Sequence, residues 1–246
     1  MPAATLTPAA ALGIAAVLAV LTGCAGAAPR ANPPPQRPSV STSPSQSEAA
    51  APTPTSLPVA EPTAEATTGP VASDGRPQRA RLTIPAIGLR GLVVAPYQGW
   101  TDDAPGTELQ NGGLAASPHG PLGGTGPGGI GNYQVTAHRN SSTAAFAELP
   151  ALRAGDRVHV EAGGVRYTYE VRKTKQTSFR SPASLADQRA AVPGRPGVRP
   201  TRAMITLSTC ATQEDHAQGN YWADEFDNPE HRIDKIGVLV GVGESR

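Results

Sequence analysis

The sequence has few cysteines, few aromatic residues and almost no net charge. Its formal net charge is +1 over 246 residues, which gives no electrostatic reason to expect a nucleic acid or a strongly acidic partner. Only 4% of the residues are aromatic, whereas there are 26 prolines and 27 glycines. Part of the chain therefore cannot build a hydrophobic core, and the composition along the chain indicates which part.

Residues 1–27 have the pattern of an export segment. A run of apolar and small residues from Ala9 to Thr22 is shorter than a usual bilayer span, and it is typical of a signal peptide. The sequence Leu21-Thr22-Gly23-Cys24 resembles a bacterial lipobox, in which Cys24 is lipidated. Because no Lys or Arg precedes Arg30, a retained signal anchor and simple secretion stay open as alternatives. We expect the chain to act at the extracytoplasmic face of the cell membrane, tethered by this segment.

Residues 28–80 are predicted to form a disordered linker. Pro, Ser, Thr, Ala and Gln dominate this range, as in the run Pro33-Pro34-Pro35. It has too few apolar side chains to offset the entropy lost on ordering, and its prolines favour extended polyproline II. The folded domain is therefore expected to span residues 81–246, which is long enough for a sizeable core.

The pattern of this domain is mostly β. Residues 165–171 alternate apolar and polar side chains, as in a half-buried strand, and the Gly163-Gly164 pair before them indicates a hairpin. Seven or eight such short strands favour a closed or nearly closed β-barrel. We expect a short helix from Thr143 to Leu152 and a helical turn starting at the Ser181-Pro182 pair. Residues 101–131 are rich in Gly and Pro and show little periodicity.

Cys210 is the candidate nucleophile. It closes the predicted strand that carries residues 206–209, and because Cys24 lies in the export segment, Cys210 is a lone thiol outside the cytoplasm. A thiol nucleophile needs a base, and acyl transfer needs a donor for the developing oxyanion. His138 at the end of one predicted strand and Arg232 at the start of another are candidates for these roles. From the residues alone, an inert buried cysteine and a structural histidine also stay open.

These motifs resemble those of sortases. Residues 206–210 match the signature Thr-Leu-x-Thr-Cys, and Ala137-His138-Arg139 matches the strand that supplies the histidine of that family. Residues 146–149 and 152–158 resemble the short helix and strand that follow it. The resemblance covers nearly all of residues 81–241 and is greatest to class E sortases of high-GC Gram-positive bacteria. It implies a closed eight-stranded β-barrel with one or two short helices.

The resemblance also implies a cysteine transpeptidase that uses no cofactor. Cys210 would cleave a Leu-Pro-x-Thr-Gly or Leu-Ala-x-Thr-Gly sorting signal between Thr and Gly, and an amine of a cell-wall peptide precursor would resolve the thioacyl intermediate. His138 would transfer protons, Arg232 would bind substrate and stabilise the oxyanion, and Thr209 would assist in the oxyanion support. The partners would be surface proteins with a C-terminal sorting signal, recognised by the connection 177–200.

Residues 211–230 form a long acidic loop. Clustered carboxylates suit Ca²⁺, but a solvated acidic loop is the simpler interpretation. A zinc site made from His138, Cys210 and His216 is not expected, because no close pair of ligands has the usual spacing. We therefore predict no metal ligand among the site residues.

Two other functions stay open. A non-catalytic β-barrel lipoprotein that binds a ligand would have a buried, dispensable Cys210. Another cell-wall cysteine transpeptidase or hydrolase, such as an L,D-transpeptidase, is the second alternative. That family resembles Ser-His-Gly-Cys around its nucleophile, and Cys210 has no histidine immediately before it.

Overall fold

The computed structural model describes residues 73–245, which form a closed barrel of eight strands in the order β1-β2-β3-β4-β7-β8-β6-β5. The strands are β1 Ala80–Ile84, β2 Leu89–Gln98, β3 Ala115–His119, β4 Gly131–Thr136, β5 Arg157–Ala162, β6 Val165–Ser178, β7 Ala203–Cys210 and β8 His231–Glu244. Three short helices are described, α1 Ala104–Asn111, α2 Pro182–Arg189 and α3 Thr212–Ala217. The predicted mostly β barrel is confirmed.

The predicted export segment 1–27, its Cys24 and most of the predicted linker lie outside the described residues. Residues 73–79 belong to the predicted linker, yet they contact the loop that precedes β4. The Gly75 carbonyl accepts hydrogen bonds from Gly126 N at 2.7 Å and from Thr125 Oγ1 at 3.1 Å. Within residues 73–245, the helices are too short or too polar to cross a membrane.

Two strand pairings bring the end of β4, the end of β7 and the start of β8 to the same end of the barrel. β4 and β7 are parallel, with Thr136 opposite Ser208, so both strands finish at the same edge. β8 runs antiparallel to β7, and its second residue, Arg232, lies opposite Cys210. Residues that follow β4, end β7 and begin β8 are therefore neighbours, although the sequence separates them widely.

The core fills the barrel because inward-facing positions of the strands are apolar. Tyr133 and Val135 of β4, Ile205 and Leu207 of β7, and Tyr169 of β6 are almost completely buried. Burying each such side chain contributes roughly 1.5–3 kcal/mol. This packing makes the barrel a rigid support for the residues at its edge.

The outer face of β4, β7 and β8 is also buried, and it is polar. The α2 helix covers this face, and Asn132 Nδ2 donates to the Gln188 carbonyl at 3.0 Å. Gln188 Nε2 donates to Asp234 Oδ1 at 2.9 Å and to Ser208 Oγ at 3.2 Å. Asp234 also accepts from Thr177 Oγ1. Hydrogen bonds therefore hold the connection between β6 and β7 against the barrel.

The helix predicted from Thr143 to Leu152 is wrong. The segment folds as successive turns, with a 3-10 turn only at Leu149–Ala151. Ser142 and Ala144 have positive φ angles of 53° and 48°, which a regular right-handed helix does not contain. Its apolar residues Phe146 and Leu149 are buried all the same, so the apolar stripe marked core contacts rather than a helix.

Of the α-helices, α2 was predicted from the sequence and α1 was not. The helical turn predicted at Ser181-Pro182 is confirmed as α2, with Ser181 Oγ accepting from Ser184 N at 3.2 Å. The α1 helix was not predicted, because it falls in residues 101–131, where the sequence shows little periodicity. Only Gly106 and Gln110 of α1 are buried, so this helix carries no apolar stripe.

Candidate active site

Cys210 is the last residue of β7 and is half-buried. The ladder continues past it, because Ala211 N donates to the His231 carbonyl at 2.9 Å. Burial raises the pKa of the Cys210 thiol, and the neighbouring Arg232 guanidinium opposes that rise. The ladder therefore fixes the backbone of Cys210. Because its pKa is raised, the thiol is neutral at physiological pH.

His138 lies two residues beyond β4 and lines the same cavity as Cys210. This cavity has a volume of about 530 Å³ and is also lined by Asn111, Arg139 and Asn228. The ring atom His138 Nε2 is 2.9 Å from Asn111 Oδ1. Burial lowers the pKa of the imidazole, with Asp102 opposing this effect and Arg232 adding to it. The imidazole is thus neutral near pH 7 and can accept a proton.

Arg232 is the largest fully buried side chain of the described residues, with 1% exposure. Its Nε donates to Asp102 Oδ2 at 2.8 Å, and its Nη1 donates to the Pro229 carbonyl at 3.1 Å. The ring of Phe179 lies 4.3 Å from its guanidinium carbon, in a cation–π contact. Within residues 73–245, Arg232 Nη2 has no hydrogen-bond partner. Arg232 therefore keeps one nitrogen for another acceptor.

Two side chains join the end of β4 to the end of β7. Thr209 is 2% exposed, and its Oγ1 donates to the Ala137 carbonyl at 2.8 Å. Arg139 Nη1 donates to the Cys210 carbonyl at 3.2 Å and forms an ion pair with Glu214. These contacts fix the segment that carries His138 relative to the strand that carries Cys210. The Thr209 hydroxyl is engaged in this conformation, so it acts here on the backbone.

A second cavity of about 690 Å³ is lined in part by residues 224–226 of the β7–β8 connection. Its apolar lining comes from Trp100, Leu122, Phe179, Leu185 and Phe226. Asp102 and Phe179, which both contact Arg232, also line it, and Phe226 lines both cavities. The second cavity is therefore adjacent to Arg232, and it shares Glu225 and Phe226 with the cavity that contains the thiol.

The carboxylates of the acidic loop bind groups of the protein itself. Asp215 Oδ1 is 2.7 Å from His231 Nδ1, and Asp224 accepts from the backbone of Phe226 and Asn228. Glu230 accepts from Ser178 Oγ at 2.9 Å. In the part of the chain that the structure describes, no three His, Cys, Asp or Glu side chains form a group suited to a metal ion. Asp215, Asp224 and Glu230 are thus engaged by groups of the protein itself.

The structure brings together Cys210, His138 and Arg232 at one end of the barrel, with Thr209 between the two strands. It adds Asp102, Asn111 and Phe179, which the sequence analysis missed. Asn111 ends α1, and Asp102 lies just before its N-cap Asp103. The Asp-Asp-Ala-Pro sequence at 102–105 is a helix-start signal, so the helix could have been found, although its contact with Arg232 could not.

A closed barrel with a thiol, an imidazole and a guanidinium at one end has the groups of a cysteine-dependent acyl-transfer enzyme. The family model described as the sortase domain matches residues 82–223, and the chain belongs to the sortase family. It is therefore a transpeptidase of that family.

Solved structures similar to this chain are also sortases. The SrtA sortase from Actinomyces oris has a TM-score of 0.52 at 16% identity and covers 73% of this chain and 89% of that one. Sortase E from Streptomyces avermitilis has a TM-score of 0.49 at 22% identity, covering 69% and 91%. Sortase E1 from Streptomyces coelicolor, solved with a tripeptide in the active site, has a TM-score of 0.49 at 22% identity, covering 71% and 94%. No curated protein matches the chain.

Proposed function

We propose that this sortase cleaves a Leu-Pro-x-Thr-Gly or Leu-Ala-x-Thr-Gly sorting signal between Thr and Gly, with Cys210 as nucleophile. The observation that supports this most directly is the register of β7 and β8, which sets Cys210 opposite Arg232. His138 lines the cavity of the same thiol. The proposed nucleophile and base thus share one cavity, and the proposed oxyanion donor lies opposite the nucleophile in the β7–β8 ladder, an arrangement that supports acyl transfer.

The reaction starts from a neutral thiol and a neutral imidazole. His138 takes the Cys210 proton as sulfur attacks the Thr carbonyl, and the C–N bond to Gly breaks while the imidazolium protonates the leaving amine. The threonyl group is then held as a thioester. An incoming amine attacks that carbonyl and gives up a proton to His138, and the thiolate that leaves is reprotonated. Every proton thus passes between the imidazole and a group in the cavity.

Arg232 is the proposed donor to the oxyanion. A negative charge develops on the Thr carbonyl oxygen in both steps, and Arg232 Nη2 is a buried donor of the residue opposite Cys210 that has no hydrogen-bond partner within the described residues. Thr209 was expected to assist directly. Because its hydroxyl donates to Ala137, we propose that its support is indirect, through the alignment of β4 and β7.

The apolar cavity beside Arg232 supports recognition of the apolar part of the signal. Its wall is formed partly by Phe179 and Leu185, which lie in the connection between β6 and β7. We further propose, following the resemblance to class E sortases, that a cell-wall peptide precursor supplies the amine. Tethering of the domain to the membrane through residues 1–27, with Cys24 as the lipidated residue, belongs to the same proposal.

The test uses the full chain with quenched Leu-Ala-x-Thr-Gly and Leu-Pro-x-Thr-Gly peptides and a glycine-based amine. We expect cleavage between Thr and Gly, an amine-ligated product, and loss of both in Cys210→Ala. Ser208→Ala, which changes a buried residue on the same strand, is the control for disturbance of β7. Turnover that persists in Cys210→Ala, or no turnover of either peptide by folded protein, contradicts the proposal.

A further inference from the structure

Asp102 is joined to Arg232 across 130 residues of sequence. Its Oδ2 accepts from Arg232 Nε at 2.8 Å, and its Oδ1 accepts from Gln110 Nε2 at 3.0 Å. Both carboxylate oxygens are thus engaged, and Asp102 is 7% exposed. This is the one ion pair of Arg232 in the described part of the chain.

A buried guanidinium depends on such a partner. An unpaired charge that is out of contact with water is strongly unfavourable, so Arg232 needs a counter-charge to remain buried beside the thiol. Burial on its own lowers the pKa of the Arg232 guanidinium, but the Asp102 carboxylate reverses that effect and raises it. The ion pair also sets orientation, because the planar guanidinium fork is fixed once its Nε edge is bound.

The backbone around Asp102 is built to hold it in an unusual conformation. Asp102 has a φ of 59°, which is uncommon for a residue other than glycine. On one side Thr101 Oγ1 donates to Gln134 Oε1 of β4 at 2.9 Å, and on the other the Asp103 carboxylate caps α1 by accepting from Gly106 N at 2.9 Å. Left-handed backbone at such a residue persists only where its surroundings fix it, and such positions cluster at active sites.

The contacts of the Arg232 guanidinium engage two of its three nitrogens and, within the described residues, leave the third without a partner. Asp102 binds the Nε edge, the carbonyl of Pro229 binds Nη1, and Phe179 packs against the face. Nη2 is the nitrogen without a partner in residues 73–245. The orientation of that nitrogen therefore depends on Asp102.

We propose that Asp102 is a positioning residue of the active site, which holds the Arg232 guanidinium so that Nη2 can bind the oxyanion. The short helix α1 supports it through Gln110, and the site thus has a fourth member supplied by the loop after β2. This inference rests on the proposed role of Arg232 as oxyanion donor.

Two substitutions test the proposal without adding backbone strain. Asp102→Gly removes the carboxylate and suits the positive φ, and Asp102→Asn keeps the shape but removes the charge. Both should lower kcat by about 10- to 100-fold with little change in KM, because a displacement of about 1 Å costs on that order. Asp156→Asn, in the turn before β5, is the matched control. Asp156 lines neither cavity, and Asn keeps an oxygen that can accept from Arg153 N, so we expect a change below about threefold. Active sites are counted by titration with a thiol reagent.

A double-substitution cycle separates positioning from a general structural role. In an Arg232→Met background, Asp102→Asn should change kcat by less than about threefold, because its target is gone. This double variant also lacks both buried charges, so it should fold at least as well as Arg232→Met alone. Equal effects of Asp102→Asn in both backgrounds would overturn the proposal.

The rate at which the Arg232 Nε proton exchanges with water, measured spectroscopically, tests the positioning role of Asp102 independently of turnover. The Arg232 Nε proton should exchange slowly with water in the wild type and in Asp156→Asn, and rapidly in Asp102→Gly. Slow exchange that survives in Asp102→Gly overturns the positioning role, even if neither peptide is a substrate. Conversely, Cys210-dependent turnover that is unaffected by Asp102→Gly leaves the proposed function intact and removes only Asp102 from it.

Discussion

Thr209→Val tests whether Thr209 acts on the backbone or on the oxyanion. Valine has nearly the shape of threonine, so the change removes the 2.8 Å hydrogen bond to the Ala137 carbonyl and little else. Thr209 is 2% exposed, and the carbonyl left without its partner costs about 1–3 kcal/mol. For a domain of this size, each kcal/mol lowers Tm by roughly 2–4 °C.

The assay is urea unfolding of the full chain beside peptide cleavage, with Thr209→Ser as the control that keeps the hydroxyl. If Thr209 only aligns β4 and β7, the free energy of unfolding should fall by the amount above, and Thr209→Ser should restore most of it. A direct oxyanion donor would instead lose about 10²–10³ in kcat. A loss of that size with a change in unfolding free energy below ~0.5 kcal/mol would refute the backbone role.

Two further predictions concern protonation. Burial raises the pKa of the Cys210 thiol and lowers that of the His138 imidazole. A plot of kcat/KM against pH should therefore be bell-shaped. Its acid limb, set by His138, should lie below the ordinary imidazole pKa, and its alkaline limb, set by Cys210, should lie above the ordinary thiol pKa. Alkylation of Cys210 with a midpoint at or below that of free cysteine would contradict this. Burial also raises the pKa of Asp234. As pH rises, this carboxyl therefore ionises in the unfolded chain before it ionises in the folded protein. From about pH 4 upward, the free energy of unfolding of the wild type should fall relative to that of Asp234→Asn. If urea unfolding gave parallel plots of unfolding free energy against pH for the two proteins, this prediction would be wrong.

Strand alternation and the cysteine motif made much of the fold and site predictable. The alternation in residues 165–171 is confirmed in β6, and the Gly163-Gly164 pair is the hairpin turn between β5 and β6. The motif at 206–210 placed Cys210 at the end of β7, where it lies. These predictions succeeded because periodicity and chain-local motifs determine strands and strand ends directly.

The features that the sequence analysis missed depend on contacts between distant segments. Nothing near Asp102 in sequence indicates that Arg232 is its partner, since the pair is formed by barrel closure. The predicted helix at Thr143–Leu152 failed for a related reason: its apolar residues are buried against the core, and this burial overrides the helical spacing. Positive φ angles at Ser142 and Ala144 are likewise set by tertiary packing.

Cys210, Arg232 and His138 differ in how the backbone fixes them. Cys210 and Arg232 belong to paired strands, so the β7–β8 ladder sets their separation. His138 lies outside any strand, and its position depends on hydrogen bonds. Its carbonyl accepts from Phe146 N at 3.0 Å, and its ring Nε2 donates to Asn111 Oδ1 at 2.9 Å. The proposed nucleophile and oxyanion donor are thus fixed by the ladder, whereas the proposed base can shift when its hydrogen bond to Asn111 breaks. That division suits a proton carrier, which must serve the thiol, the leaving amine and the incoming amine in turn.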